Sequence, residues 1–258
     1  MLKQEFQYLL AAIQFFTRIP VPLATPHDRV SLTHALKYFP LVGWLIGGLC
    51  ALVLNMAGAL WPPAIAVILC IAFGVLLTGA LHEDGFADSC DGFGGGWNKE
   101  QVLRIMKDPR IGNFAAIGLI LLLGLKIWAL IELVEASPDL AMVALLLAHA
   151  NSRWLVLPLP WLLDYVRDDQ SSRAGSMVEH RFSGAMFGYA SLFTLIPLLL
   201  LGVPMFYCAV FWAAVTVIAL AFYFRHRLGG YSGDCLGAAQ QVAEVVIYLA
   251  ILASWNSL

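Results

Sequence analysis

The segment Leu81-His82-Glu83-Asp84-Gly85-Phe86-Ala87-Asp88-Ser89-Cys90-Asp91-Gly92 places carboxylates at positions 84, 88 and 91. On a helix this i, i+4, i+7 spacing turns all three to one face. Unit charges about 4 Å apart repel by roughly 4 kcal/mol at an effective dielectric near 20. If the trio ends a helix, the macrodipole adds to that cost. A stable fold then calls for a counter-cation, and oxygen-only ligands select a hard ion, Mg2+ or Mn2+. Asp84, Asp88 and Asp91 are the candidate ligands. A solvated acidic loop is the alternative; it explains the charge but neither the spacing nor the flanking glycines.

The same stretch continues through Gly94-Gly95-Gly96 to Arg104-Ile105-Met106-Lys107-Asp108-Pro109-Arg110. A metal sharing phosphate with protein cations is the recurring plan of phosphoryl transfer, and Arg104, Lys107 and Arg110 supply such cations. A basic cluster at a membrane boundary also anchors lipid headgroups, and both readings stay open. The glycine run is either a phosphate cradle or a hinge. Further on, Gly229, Gly230, Gly233 and Gly237 surround Asp234, a pattern for backbone pressed close to a neighbour or for a plain loop. Lys126 and the group His149, Asn151, Ser152 and Arg153 fall inside apolar stretches, where ionisable residues face a cavity or a partner. Lys126 is expected to pair with a buried acid such as Glu132, and Asn151 and Arg153 to face a ligand.

These residues need a membrane scaffold. The chain has 258 residues, 60% of them apolar and 12% charged, with a mean hydropathy of +0.80, which excludes an ordinary soluble domain. About 20 apolar residues make a spanning helix. The sequence offers seven, near 38–60, 62–81, 113–134, 139–161, 185–203, 205–224 and 241–257, as one all-α integral membrane domain over 1–258. Residues 5–20 carry apolar residues at helical spacing and read as an interfacial or re-entrant helix. With the N-terminus inside, thirteen of the fifteen basic residues fall in inner loops, as the positive-inside rule requires. Lys126 and Arg153 are the two within spans. The five cysteines form no CxxC pair and read as reduced thiols. The first twenty residues lack the pattern of a removed signal peptide.

Taken together, the segments FFTRIPVP, HEDGFADSCDG, RIMKDPRIG and LGGYSGDCLGAAQQ resemble the motifs of the cobalamin synthase family, adenosylcobinamide-GDP ribazoletransferase, in order over residues 15–245. Pro109 stands where that family's pattern has Ser, and Asn113 where it has Thr. The resemblance implies the last assembly step of adenosylcobalamin: adenosylcobinamide-GDP reacts with alpha-ribazole, or its 5'-phosphate, and GMP leaves. It implies Mg2+ (or Mn2+) on Asp84, Asp88 and Asp91, with Glu83 as a further ligand, and phosphate held by Arg104, Lys107 and Arg110 around Asp108. His82 or Glu83 would be the base, and Asp234 would help with metal or ribose. It further implies a bacterial inner (cytoplasmic) membrane, an active site facing the cytoplasm, and no nucleic-acid partner. A homo-oligomer, or assembly with other cobalamin-synthesis enzymes, is left open. Two other classes share part of the pattern. A CDP-alcohol phosphotransferase would carry Asp-Gly-x-x-Ala-Arg, which is absent. A divalent-cation transporter would place its carboxylates on discontinuous helices, whereas here they are expected to follow a complete span.

Overall fold

A computed structural model describes residues 2–21, 29–167 and 182–257. Among them the regular elements are helices, with one isolated bridge joining Tyr165 and Tyr231. Helix α1 (Leu2–Phe16) buries Tyr8, Ala11, Ala12 and Phe16 and leaves Phe6 exposed. Helix α2 (Arg29–Ala35) passes through a tight turn, Leu36–Tyr38, into α3 (Phe39–Gly58). There follow α4 (Pro63–Thr78), α5 (Leu81–Gly95), α6 (Lys99–Ile105), α7 (Asn113–Ala136), α8 (Pro138–Val156) and α9 (Leu159–Leu162). The last three are α10 (Gly184–Leu201), α11 (Pro204–Leu228) and α12 (Gly233–Trp255).

Six stretches are long and apolar enough to cross a membrane, and α4 with α5 makes a seventh if the pair is one bent span. The protein is therefore a polytopic helical membrane protein. The short connections have ordinary causes. Pro63 opens α4, Ser137 caps α8 by accepting from the Leu140 N–H, and left-handed Gly202 ends α10 just before Pro204 opens α11. α8 and α12 lie innermost, whereas α7, α10 and α11 turn much of their apolar surface outward. That surface suits lipid as its solvent.

Two expectations change. The span expected over 62–81 is a 16-residue helix that breaks at Gly79 and Ala80, both left-handed (φ +66° and +58°), and α5 leaves it at 90°. The acidic motif thus starts a helix of its own instead of trailing a complete span. Glu83 and Asp84 occupy its first turn, where the macrodipole favours them. The last span starts at Gly233, not near 241, because Ser232 accepts from the Cys235 N–H and caps α12. Asp234 consequently stands in a helix's first turn, not in a loop.

The helix order puts the N-terminal ends of α3, α7, α10 and α12 and the C-terminal ends of α8 and α11 at one end of the bundle. All described Lys and Arg lie toward that end except Lys126 and Arg153, which sit inside helices. Arg173 and Arg181, counted in the sequence-based topology, lie outside the described residues. None of the five cysteines is bridged.

Candidate active site

At the polar end of the bundle a cleft of about 910 Å3 opens between three structural pieces. The first turn of α5 contributes His82 and Asp84, the start of α12 contributes Asp234, and the chain beyond α9 contributes Asp164, Tyr165 and Arg167. An apolar wall faces them, built by Phe15, Phe16, Phe39, Trp161 and Phe182. The charged edge is held by backbone pairing: the Val166 N–H donates to Tyr231 C=O (3.0 Å) and the Tyr231 N–H to Asp164 C=O (2.8 Å). This pairing brings Arg167 to Asp234, with which it forms an ion pair and hydrogen bond.

The acidic residues divide by role. Asp84 is exposed to the cleft, and Asp88, one turn on, is half-buried within Coulombic reach of Asp234 and Asp84, with Arg167 as the cation opposing them. Asp91 is engaged elsewhere. Its Oδ2 accepts from the Gly112 N–H (2.6 Å) and its Oδ1 from the Ala115 N–H (2.8 Å), so it caps α7 from a neighbouring helix. Asp234 thus sits with Asp84 and Asp88 where the spacing pointed to Asp91. Among the described residues, no three His, Cys, Asp or Glu side chains converge closely enough to close a metal site by themselves.

His82 lines the cleft but is 6% exposed, beside the stacked rings of Phe16 and Phe39, and its Nε2 is buried without a hydrogen-bond partner. Glu83 points the other way, into the bundle, where its Oε1 accepts from Gln241 (3.0 Å). Asn151 and Arg153 are also interior and do not line the cleft. The Asn151 amide donates to Leu147 C=O (2.9 Å), and Arg153 Nη1 donates to His149 C=O (2.8 Å). Lys126 pairs with Glu244 at 2.9 Å rather than with Glu132.

The basic cluster stays outside the cleft. Arg104 and Lys107 are exposed, and Arg110 grips Asp108 through Nε (2.9 Å), Nη2 (2.6 Å) and its backbone N–H (3.1 Å). Those bonds hold the Asp108 carboxyl down at about 2. The glycine run closes α5, with Arg227 donating to the carbonyls of Phe93 (3.2 Å) and Gly96 (2.7 Å).

Sequence reasoning missed Arg167, Asp164 and the aromatic wall. Arg167 follows a span on the expected face, but no spacing tied it to Asp234, 67 residues away.

Comparison with known proteins agrees with the resemblance in the motifs. An adenosylcobinamide-GDP ribazoletransferase of Shewanella frigidimarina is 44% identical over 250 residues, covering 97% of this chain and 95% of the relative. One from Leptothrix cholodnii is 43% identical over 267 residues, covering 96% of each. One from Shewanella baltica is 40% identical over 255 residues, covering 99% and 97%. No solved structure is significantly similar. With the family model of cobalamin-5-phosphate synthase matching residues 8–252, the chain belongs to that family.

Proposed function

We propose that this chain joins adenosylcobinamide-GDP to alpha-ribazole or its 5'-phosphate and releases GMP, in a Mg2+-dependent reaction at the cytoplasmic face of a bacterial inner membrane. The observation that carries the reading is the cleft itself. A broad apolar wall faces a carboxylate edge carrying one arginine, which suits a bulky, partly apolar molecule bearing a pyrophosphate. Family membership and the names of the relatives supply the substrates.

In this reading a ribazole hydroxyl attacks the phosphorus that bears the cobinamide. The P–O bond to the GMP phosphate breaks, and the hydroxyl proton passes to a base. His82 lines the cleft and its buried Nε2 has no protein partner, so it would take that proton once substrate entry uncovers the nitrogen. Arg167 stands where phosphate oxygens would sit, and its guanidinium is already oriented by Asp234. The aromatic wall keeps water from competing with the ribazole hydroxyl.

The donor set fits Mg2+. This ion takes one or two carboxylates and completes its shell with water and substrate phosphate, so it does not require three protein ligands at one point. Asp84 and Asp88, with Asp234 beside them, would hold it, and bound there it would neutralise charge developing on the leaving phosphate. The carboxylates do not follow a complete span, since α4 breaks before them, so their position does not set this chain apart from a transporter. The enzyme reading stands instead on the family.

The test is GMP release by purified protein in detergent. Release from adenosylcobinamide-GDP that needs both ribazole and Mg2+ is the expected result. Equal release without ribazole, or none with every component present, overturns the proposal.

A further inference from the structure

Beneath the cleft lies a second cavity of about 20 Å3, enclosed by α3, α4, α5, α7, α8 and α12 and lined by Glu83, Lys126, His149, Arg153, Gln241 and Glu244. Its side chains form one chain of bonds. Gln241 Nε2 donates to Glu83 Oε1 (3.0 Å), Lys126 Nζ donates to Gln241 Oε1 (2.8 Å), and Lys126 pairs with Glu244 (2.9 Å). Gln240 Nε2 donates to Glu244 Oε2 (2.8 Å) and to Ser152 Oγ (2.8 Å), which ties in α8. Lys126, Gln241 and Glu244 are each 5% exposed or less.

Buried ion pairs add little stability over apolar residues of the same volume, and ionisable groups inside a membrane are costly. None of the three lines the cleft, yet the end of their chain, Glu83, lies between His82 and Asp84, which do. The break at Gly79 and Ala80 leaves α5 without helical continuity to set its rotation. Its contact with α12 near the first turn is a close approach of backbone to backbone. Gly85 and Gly237 face each other there, and a Cβ on Gly85 would stand 3.1 Å from the Asp234 backbone, so no side chains interlock. The far end of α5 is held by Asp91 on α7 and by Arg227 on the Phe93 and Gly96 carbonyls, and in the first turn the bond from Gln241 to Glu83 is the side-chain hydrogen bond that ties it to α12.

We propose that Gln241, backed by Lys126 and Glu244, is a positioning residue: through Glu83 it fixes the first turn of α5 and so the placement of His82 and Asp84. Glu83 is then an anchor and takes no part in the chemistry.

The proposal rests on the reading of the cleft as the reaction site, and variants of the full-length protein test it. Glu83→Gln keeps an oxygen acceptor for Gln241 and should hold kcat for GMP release within about threefold of the parent. Glu83→Leu and Gln241→Leu each lose the bond. Misplacement of the reacting groups should lower kcat roughly tenfold or more, with KM for adenosylcobinamide-GDP changed by less than about threefold. A second readout needs no activity. The labelling rate of Asp84→Cys by a membrane-impermeant maleimide, followed by mass spectrometry of that peptide, should shift severalfold when combined with Gln241→Leu and stay level with Glu83→Gln. If Glu83→Gln loses as much activity as Asp84→Asn while labelling is unmoved, Glu83 takes part directly and the proposal fails. It fails equally if Gln241→Leu and Glu83→Leu leave both readouts at parent values. If the parent releases no GMP but labelling shifts as described, the positioning role stands and the functional reading falls.

Discussion

At the scale of single residues, the acidic motif separates into Asp84 at the cleft with Asp88 one turn behind it, and Asp91, which holds up a helix. Asp84 and Asp88 share their surroundings with Asp234 and Arg167, whereas both oxygens of Asp91 accept N–H groups from the start of α7. An amide keeps size but removes the anion, and Asn is a poor ligand for Mg2+. Asp84→Asn and Asp88→Asn should therefore each cut GMP release more than tenfold, a barrier change above about 1.4 kcal/mol. Asp91→Asn should keep turnover and Mg2+ dependence near the parent and instead lose about 1 kcal/mol of stability, as capping changes do. Rate assays beside thermal unfolding separate the two effects; a rate loss in Asp91→Asn matching the other two would return Asp91 to the metal. Arg167 carries its own expectation. Its Nη2 alone holds Asp234, which leaves Nη1 of the planar guanidinium for phosphate, an arrangement that Lys cannot copy. Arg167→Lys should then fall well below the parent in kcat/KM and Arg167→Met further still, and equal activity in all three forms would remove Arg167 from the site.

At the scale of elements, the spans were legible because apolar length and Pro or Gly punctuation act locally. Pro63, Ser137, Gly202 and Pro204 each do what their types indicate. The i, i+4, i+7 spacing of the aspartates also described a real helix. Hydropathy could not show the break before it, because Gly79 and Ala80 are apolar and a left-handed alanine leaves no trace in composition. Nor could spacing show which carboxylate has a tertiary partner, since the groups that claim Asp91 are backbone N–H groups more than twenty residues away. Asp234, already assigned to the site by the resemblance, lies beside Asp84 and Asp88, whereas Asp91 is drawn to α7, and both placements come from tertiary proximity. The break makes a prediction. A residue with a Cβ pays roughly 1–2 kcal/mol to be left-handed, and a Cβ on Gly79 would also collide with the Arg18 guanidinium. Gly79→Ala should thus destabilise by at least about 1 kcal/mol, while Ala80→Gly, which relieves a strained φ, should be neutral or better. Thermal midpoints in one detergent decide it, and an unaffected Gly79→Ala would mean that the bend is not fixed at this residue.

At the scale of the whole molecule, charge and chemistry share one end of the bundle. The motif loops, the cleft and nearly all described Lys and Arg sit together, and among the described residues the opposite end has short turns such as that around Leu60, between α3 and α4. Retention of basic loops in the cytoplasm orients such a protein, and that is the reason to place the cleft inside. Native cysteines test this poorly, because Cys235 is fully buried and Cys208 faces outward from α11. Leu60 and Trp97 serve better, being 73% and 92% exposed at opposite ends, with only α4 and α5 between them. In a Cys208→Ser background, Trp97→Cys should react with a membrane-impermeant thiol reagent in inverted vesicles alone, and Leu60→Cys in intact spheroplasts alone. The exchanged pattern would turn the cleft outward and remove the cytoplasmic reading. Labelling of both from one side would mean that the bent pair re-enters instead of crossing. α4 alone, at 16 residues and 1.5 Å each, rises about 24 Å, short of a hydrocarbon core of about 30 Å. Because α5 leaves α4 at 90° and adds little rise of its own, opposite labelling would set the break and the first turn of the acidic helix at the edge of the bilayer.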